Sequence, residues 1–153
     1  MFNSARWIVF TTLIVFAWGA ASAQTMNKTK ASADYFSKDK VMQAMTSGTA
    51  LYKGKFYRVQ MGERAKPGEV EVHAKDTDVF YIIEGSATFV TGGTVVGGKT
   101  TGPGETRGTS ITGGETRHLG KGDVIVIPDH LPHWWQQIQQ PVVYFVVKEV
   151  TGE

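Results

Sequence analysis

Two histidines and two carboxylates stand where strand geometry can bring them together: Glu71, His73, Asp78 and His133. Glu71 and His73 alternate with Val70 and Val72, so in an extended strand the two polar side chains project from one face and the valines from the other. After the polar turn Lys75-Asp76-Thr77, Asp78 opens an apolar run, Val79 to Ile83, whose β-branched and aromatic residues favour a buried strand. A hairpin between the two stretches places Asp78 beside His73. His133 follows another strand-like run, Val124 to Ile127, and a turn beginning at Pro128, which delivers a second imidazole to a strand end. Two imidazoles with one or two carboxylates leave open positions on a divalent ion, and sets of this kind hold non-haem iron. Mn, Fe, Ni, Cu and Zn all suit such donors, and the open positions suit polarising a carbonyl or activating O2 or water on a small oxygenated molecule. The plain alternative is a metal-free barrel with both carboxylates solvated. Against it, a histidine between two carboxylates on an otherwise apolar hairpin is costly unless paired or metal-bound.

These two stretches resemble the two motifs of the cupins, a family of small double-stranded β-barrels. The second motif, G-x5-P-x-G-x2-H-x3-N, is met by Gly122, Pro128 and His133, with His130 at the glycine position and Gln137 at the asparagine. The first, G-x5-H-x-H-x3-4-E-x6-G, is met by His73 and Gly85, with Glu71 in place of the first histidine, Asp78 in place of the glutamate and Ala65 at the leading glycine. The resemblance covers roughly residues 51–150 and implies an all-β fold, a cupin double-stranded β-helix or jelly-roll-like barrel. It also implies one metal held by Glu71, His73, Asp78 and His133, although two of the four usual metal positions differ. Similar cupins are often homodimers, and small bacterial members without a settled activity share the run from Gly68 to Tyr81.

The elements that must position these residues follow from composition and pattern. A length of 153 residues suits one domain and is too short for two well-filled cores. Glycine is plentiful and apolar residues come in short runs, as in a barrel or sandwich with many tight turns. The formal net charge is +2, and Arg6 lies in a segment expected to be removed, so no nucleic-acid partner is suggested. Arg6 precedes an apolar run from Trp7 to Trp18, and Ala21-Ser22-Ala23 then supplies a small-x-small cleavage site. The expectation is a signal peptide over residues 1–23 and a secreted or periplasmic mature protein. The apolar run is short of the ~20 residues that span a bilayer, so no membrane association is expected after cleavage. The absence of cysteine excludes disulfides.

Residues 24–50 read as a flexible leader followed by one short helix, N-capped at Ser37 and stopped at Gly48, with a Met-rich face packed on the barrel. In Phe56-Tyr-Arg-Val-Gln-Met61, alternation puts Tyr57, Val59 and Met61 on one face and Arg58 and Gln60 on the other. Arg58 reads as an exposed edge-strand arginine, with a ligand-facing position as the alternative. Gly104-Glu-Thr-Arg107 recurs as Gly114-Glu-Thr-Arg117, which reads as exposed strands with paired Glu and Arg; folded over the barrel mouth, either arginine would grip a carboxylate. His118 and His130 read as surface histidines, His130 at a turn position of positive φ. Trp134 and Trp135 point to opposite faces, and Val142 to Val147 reads as a buried strand. If Asp78, Phe80 and Ile82 face inward, Val79, Tyr81 and Ile83 form an outward stripe to be covered by the helix or a second subunit. Three classes of function fit: a metal-dependent oxygenase, isomerase or lyase, a non-catalytic small-molecule-binding or sensing barrel, and a structural protein.

Overall fold

The computed structural model describes residues 32–150, and its compact unit begins at Tyr35. The expected signal peptide and most of the leader lie outside the described residues. Helix α1 (Lys38–Ser47) starts where the Ser37 side chain accepts the Lys40 amide at 3.4 Å, and it stops at Gly48, whose φ of 67° lets its amide reach back to Ala44 and Met45. The rest is strand. β1 (Tyr52–Lys53) and β2 (Tyr57–Arg64) form a hairpin, followed by β3 (Val70–His73) and the long β4 (Asp76–Thr91). The glycine- and threonine-rich segment supplies β5 (Thr94–Val96), β6 (Lys99–Gly102), β7 (Glu105–Gly108), β8 (Ser110–Thr112) and β9 (Glu115–Gly120). β10 (Val124–Ile127) and the long β11 (His133–Val150) complete the chain.

Two long strands organise everything else. β4 and β11 pair antiparallel from His133↔Thr91 to Val150↔Asp76. β2 lies along the second half of β11, while β9 and β10 pair with the two halves of β4. β3 sits between β11, through His133↔Glu71, and β7. The core between these layers holds Phe80, Ile82, Phe89, Trp135 and Val146, with the Trp135 ring 4.7 Å from Phe89 and 5.5 Å from Tyr144. At such spacings aromatic pairs add to the burial of their area.

The strand that Val79–Ile83 belongs to is not broken at Gly85: β4 continues to Thr91, with Gly85 at φ 82°, where a Cβ would stand 1.9 Å from the Pro141 carbonyl oxygen. Only glycine lets the two long strands approach this closely while bending. Nor do β3 and β4 pair as a hairpin. The chain steps from one set of strands to the other at Ala74–Lys75, and β3 takes β7 as its neighbour instead. β2 is no edge strand, since it pairs on both sides, so Arg58 is held inside the sheet array and bonded to Asp76. Asp78, Phe80 and Ile82 do face inward. Helix α1 packs on β2 and leaves Tyr81, Val124 and Val126 on the outer face at 46%, 61% and 56% exposure.

Candidate metal centre

The candidate residues meet where β3, β4 and β11 converge, and most are direct lateral neighbours in the sheet. Glu71 is opposite both His133 and Arg107, His73 is opposite Glu105, and Asp78 is opposite Lys148, which is opposite Arg58 in turn. Glu71, His73 and His133 offer three ligand atoms within 4.8 Å of one another. Glu71 Oε2 lies 3.5 Å from His73 Nε2 and 3.9 Å from His133 Nε2. Asp78 Oδ2 stands at the same two distances from the same two nitrogens. All four expected residues are therefore gathered at one place, with Asp78 and His133 each 1% exposed.

Both imidazoles are aimed. His73 Nδ1 is 2.8 Å from Glu105, and His133 Nδ1 donates to the Leu131 carbonyl at 3.2 Å, so in each ring the other nitrogen turns inward. An acceptor on one ring nitrogen fixes the tautomer and orientation that a metal ligand needs. The loop bearing His133 is itself tied to β3, since the His130 amide donates to the His73 carbonyl at 2.6 Å. His130 adopts φ 61°, the left-handed conformation for which the motif has glycine, and its side chain is exposed, as is that of His118 on β9.

Lys148 is the residue that the sequence reading passed over. Its ammonium donates to Asp78 Oδ1 at 2.7 Å and lies 3.1 Å from His73 Nε2. Alternation along Val142, Tyr144, Val146 and Lys148 was the signal available for it. Glu71 has its own cations: Arg107 Nη1 donates to Oε2 at 2.7 Å and Arg64 is 3.6 Å from Oε1. Arg107 thus belongs to the site, whereas Arg117, its counterpart in the echoed tetrapeptide, bonds Thr91 at 2.7 Å and pairs with Glu115.

The protonation states follow from these partners. Burial alone would raise Glu71, but hydrogen bonds from His73 and Arg107 hold it well below the usual carboxylate range. Burial likewise acts to raise Asp78, and His73 and Lys148 reverse it, leaving its pKa lowered. For His73, burial works toward the neutral ring, yet Asp78 and Glu71 outweigh it and the pKa is raised to about 9. The protonated ring donates to those carboxylates; the neutral ring accepts from Lys148. His133 is driven the other way by burial and stays neutral, the form that coordinates.

Two cavities flank the cluster and share Gln60, Glu71 and Lys148. One, of about 250 Å³, is walled by Arg64, Phe80, Trp135 and Tyr144; the other, of about 340 Å³, by Arg58, His73, Glu105 and Arg107. Gly62 makes room for the first, because a Cβ there would sit 2.4 Å from the Tyr144 ring. Of the two adjacent indoles, Trp135 lines the first cavity, while Trp134 donates to the Gly68 carbonyl at 2.7 Å.

A barrel of this topology with two inward histidines at the β3 and β11 strand ends is the architecture that the two motifs imply. A family model described as cupin matches residues 56–152, and the chain belongs to the cupin family. No curated protein matches the sequence. Among solved structures, similarity extends to a Bacillus halodurans protein at 13% identity and a TM-score of 0.49, covering 68% of this chain and 70% of that one. A Klebsiella pneumoniae protein with a double-stranded β-helix domain follows at 15% identity and 0.48, covering 68% and 71%. The oxalate decarboxylase of Lactobacillus farciminis, in a formate complex, is 19% identical with a TM-score of 0.43, over 63% of this chain and 25% of that one.

Proposed function

We propose that this cupin holds one divalent cation through His73, His133 and Glu71, and binds or transforms a small oxygenated molecule beside it. The observation that carries the reading is the buried His133 Nε2, which has no hydrogen-bond partner while it faces two carboxylates and a second imidazole. A buried ring nitrogen in that position is costly unless something coordinates it. Donors of two imidazoles and one carboxylate suit Mn, Fe, Ni, Cu or Zn. Asp78 stands within reach as a fourth oxygen donor, but Lys148 must release it first. When bound, such an ion supplies Lewis acidity or activation of O2 or water. The chain's own residues do the rest: Glu105 and the Leu131 carbonyl orient the rings, and Phe80, Trp135 and Tyr144 form an apolar wall that shields the ligand from water.

The proposal extends to the setting. Residues 1–23 direct export with cleavage after Ala23, and a homodimer covers the outward patch of Tyr81, Val124 and Val126, which are neighbours across β4 and β10. Elemental analysis of purified protein reconstituted separately with each of the five metals tests the centre. One equivalent is expected for at least one metal, lost in His73→Ala and His133→Ala. Wild-type protein that stays metal-free under all five conditions overturns the reading.

A further inference from the structure

Among the described residues, three buried side-chain polar atoms have no partner, and all belong to this one site: His133 Nε2, Arg58 Nε and Arg64 Nε. The first is a donor to a cation. The other two are N–H groups seeking an acceptor, and they flank the cluster from the two cavities. A buried donor without an acceptor carries the full cost of its lost hydration.

The charges around the cluster point the same way. Arg58, Arg64, Arg107 and Lys148 are matched by Glu71, Asp76, Asp78 and Glu105. Glu63 reaches the rim of one cavity but is exposed and lies on the opposite face of β2 from Arg58 and Arg64. A divalent ion bound here, with His73 neutral as its ligand, leaves two uncompensated positive charges on this lining. It also competes for a lone pair already in use, since the Glu71 oxygen that faces both histidines is the one that accepts from Arg107. Loading the centre therefore loosens a guanidinium that is 29% exposed and borders the larger cavity.

We propose that the site takes a small organic carboxylate, gripped beside the ion by Arg107 and Arg58, which line one cavity together with His73 and Glu105. A guanidinium binds a carboxylate through two parallel hydrogen bonds, which a neutral amide cannot reproduce. This rests on the metal reading above and names the ligand that the loaded site recruits.

The test is calorimetry on the full chain, metal-loaded and chelator-treated, with benzoate and malonate set against benzamide and malonamide. At least one carboxylate should bind the loaded protein tenfold or more tightly than its amide. Arg107→Gln and Arg58→Gln should each weaken it by tenfold or more, with one equivalent of metal retained by elemental analysis. Arg117→Gln, in the echoed tetrapeptide, should change nothing. Equal binding of carboxylate and amide, or no carboxylate binding by protein shown to hold its metal, overturns the inference and leaves the metal reading intact. If the protein takes up no metal, the metal reading falls. The carboxylate reading then stands only if benzoate or malonate still binds in a manner that depends on Arg58 and Arg107.

Discussion

Replacing Lys148 with methionine keeps an unbranched apolar stem and removes the ammonium, which separates two roles of one charge. Without metal, Asp78 loses a donor that lies 2.7 Å from one oxygen and 2.5 Å from the other, yet stays buried at 1% exposure. Removing one partner of a buried ion pair costs about 3–5 kcal/mol, because the other charge is left uncompensated. The His73 ring, 3.5 Å from Asp78 and favouring its protonated form, takes over part of the attraction. The low end, about 3 kcal/mol, is therefore expected. With metal the sign reverses. Two unit charges ~4 Å apart interact by about 4 kcal/mol at an effective dielectric of 20, so losing a cation beside a divalent ion, and freeing Asp78 as a ligand, should tighten metal binding at least tenfold. Metal at 100 times its dissociation constant adds about 2.7 kcal/mol to folding stability, and a variant that binds tenfold more tightly gains about 1.4 kcal/mol more than wild type at the same metal concentration, offsetting about half of the loss. Urea unfolding followed by tryptophan fluorescence, in chelator and in saturating metal, reads the first effect; chelator competition reads the second. A Lys148→Met protein as stable as wild type in chelator, or one that binds metal more weakly, would refute the assignment of Lys148 as the site's internal counter-cation.

Other outcomes follow from the same geometry. Glu71→Gln should lose less metal than either histidine variant, since a carboxamide oxygen still coordinates, and His118→Ala should lose none; elemental analysis decides both. His73 has its folded pKa raised to about 9 from an ordinary ~6.5, so its contribution is full below about pH 6.5 and disappears as pH rises through the folded value. Metal-free protein should accordingly melt lower at pH 9 than at pH 6.5, while metal affinity climbs across that window as the competing proton leaves; a flat melting profile in chelator would contradict it. Trp135→Ala should cost about 3–5 kcal/mol in urea unfolding, because the ring is buried among Phe80, Phe89 and Tyr144. Val124→Glu with Val126→Glu should turn a dimer into a monomer by light scattering, and N-terminal sequencing of exported protein should begin at Gln24.

What could be read in the sequence was local. The capped helix, the β-period runs and the two strand ends bearing His73 and His133 all depend on near neighbours in the chain, and the structure shows each of them. What escaped was lateral. Lys148, Glu105 and Arg64 act on the site because of which strand lies beside which, and no spacing along the chain reports that. Arg58 was misplaced for the same reason: alternation gave its face correctly, but whether that face met ligand or solvent depended on β11 pairing with β2. The hairpin expected between Glu71–His73 and Asp78 put the right residues together by the wrong connection. Proximity survived because only Ala74 and Lys75 separate β3 from β4, although β11 and β7 rather than β4 are the neighbours of β3.

The bend at Gly85 and Pro141 has a consequence of parity. In β11 the inward side chains are His133 and Trp135 before the bend and Val142, Val146 and Lys148 after it, so odd positions give way to even ones. β4 makes the complementary change, from Asp78, Phe80 and Ile82 to Ala87, Phe89 and Thr91. The register shifts between Trp135 and Tyr144 absorb the odd step. Were both strands regular, His133 and Lys148 would point to opposite sides of the sheet, and the imidazole could never share a neighbourhood with Asp78. Deleting a single residue between Gln137 and Pro141 would therefore rotate one half of the constellation out of the barrel while leaving every functional side chain in the sequence.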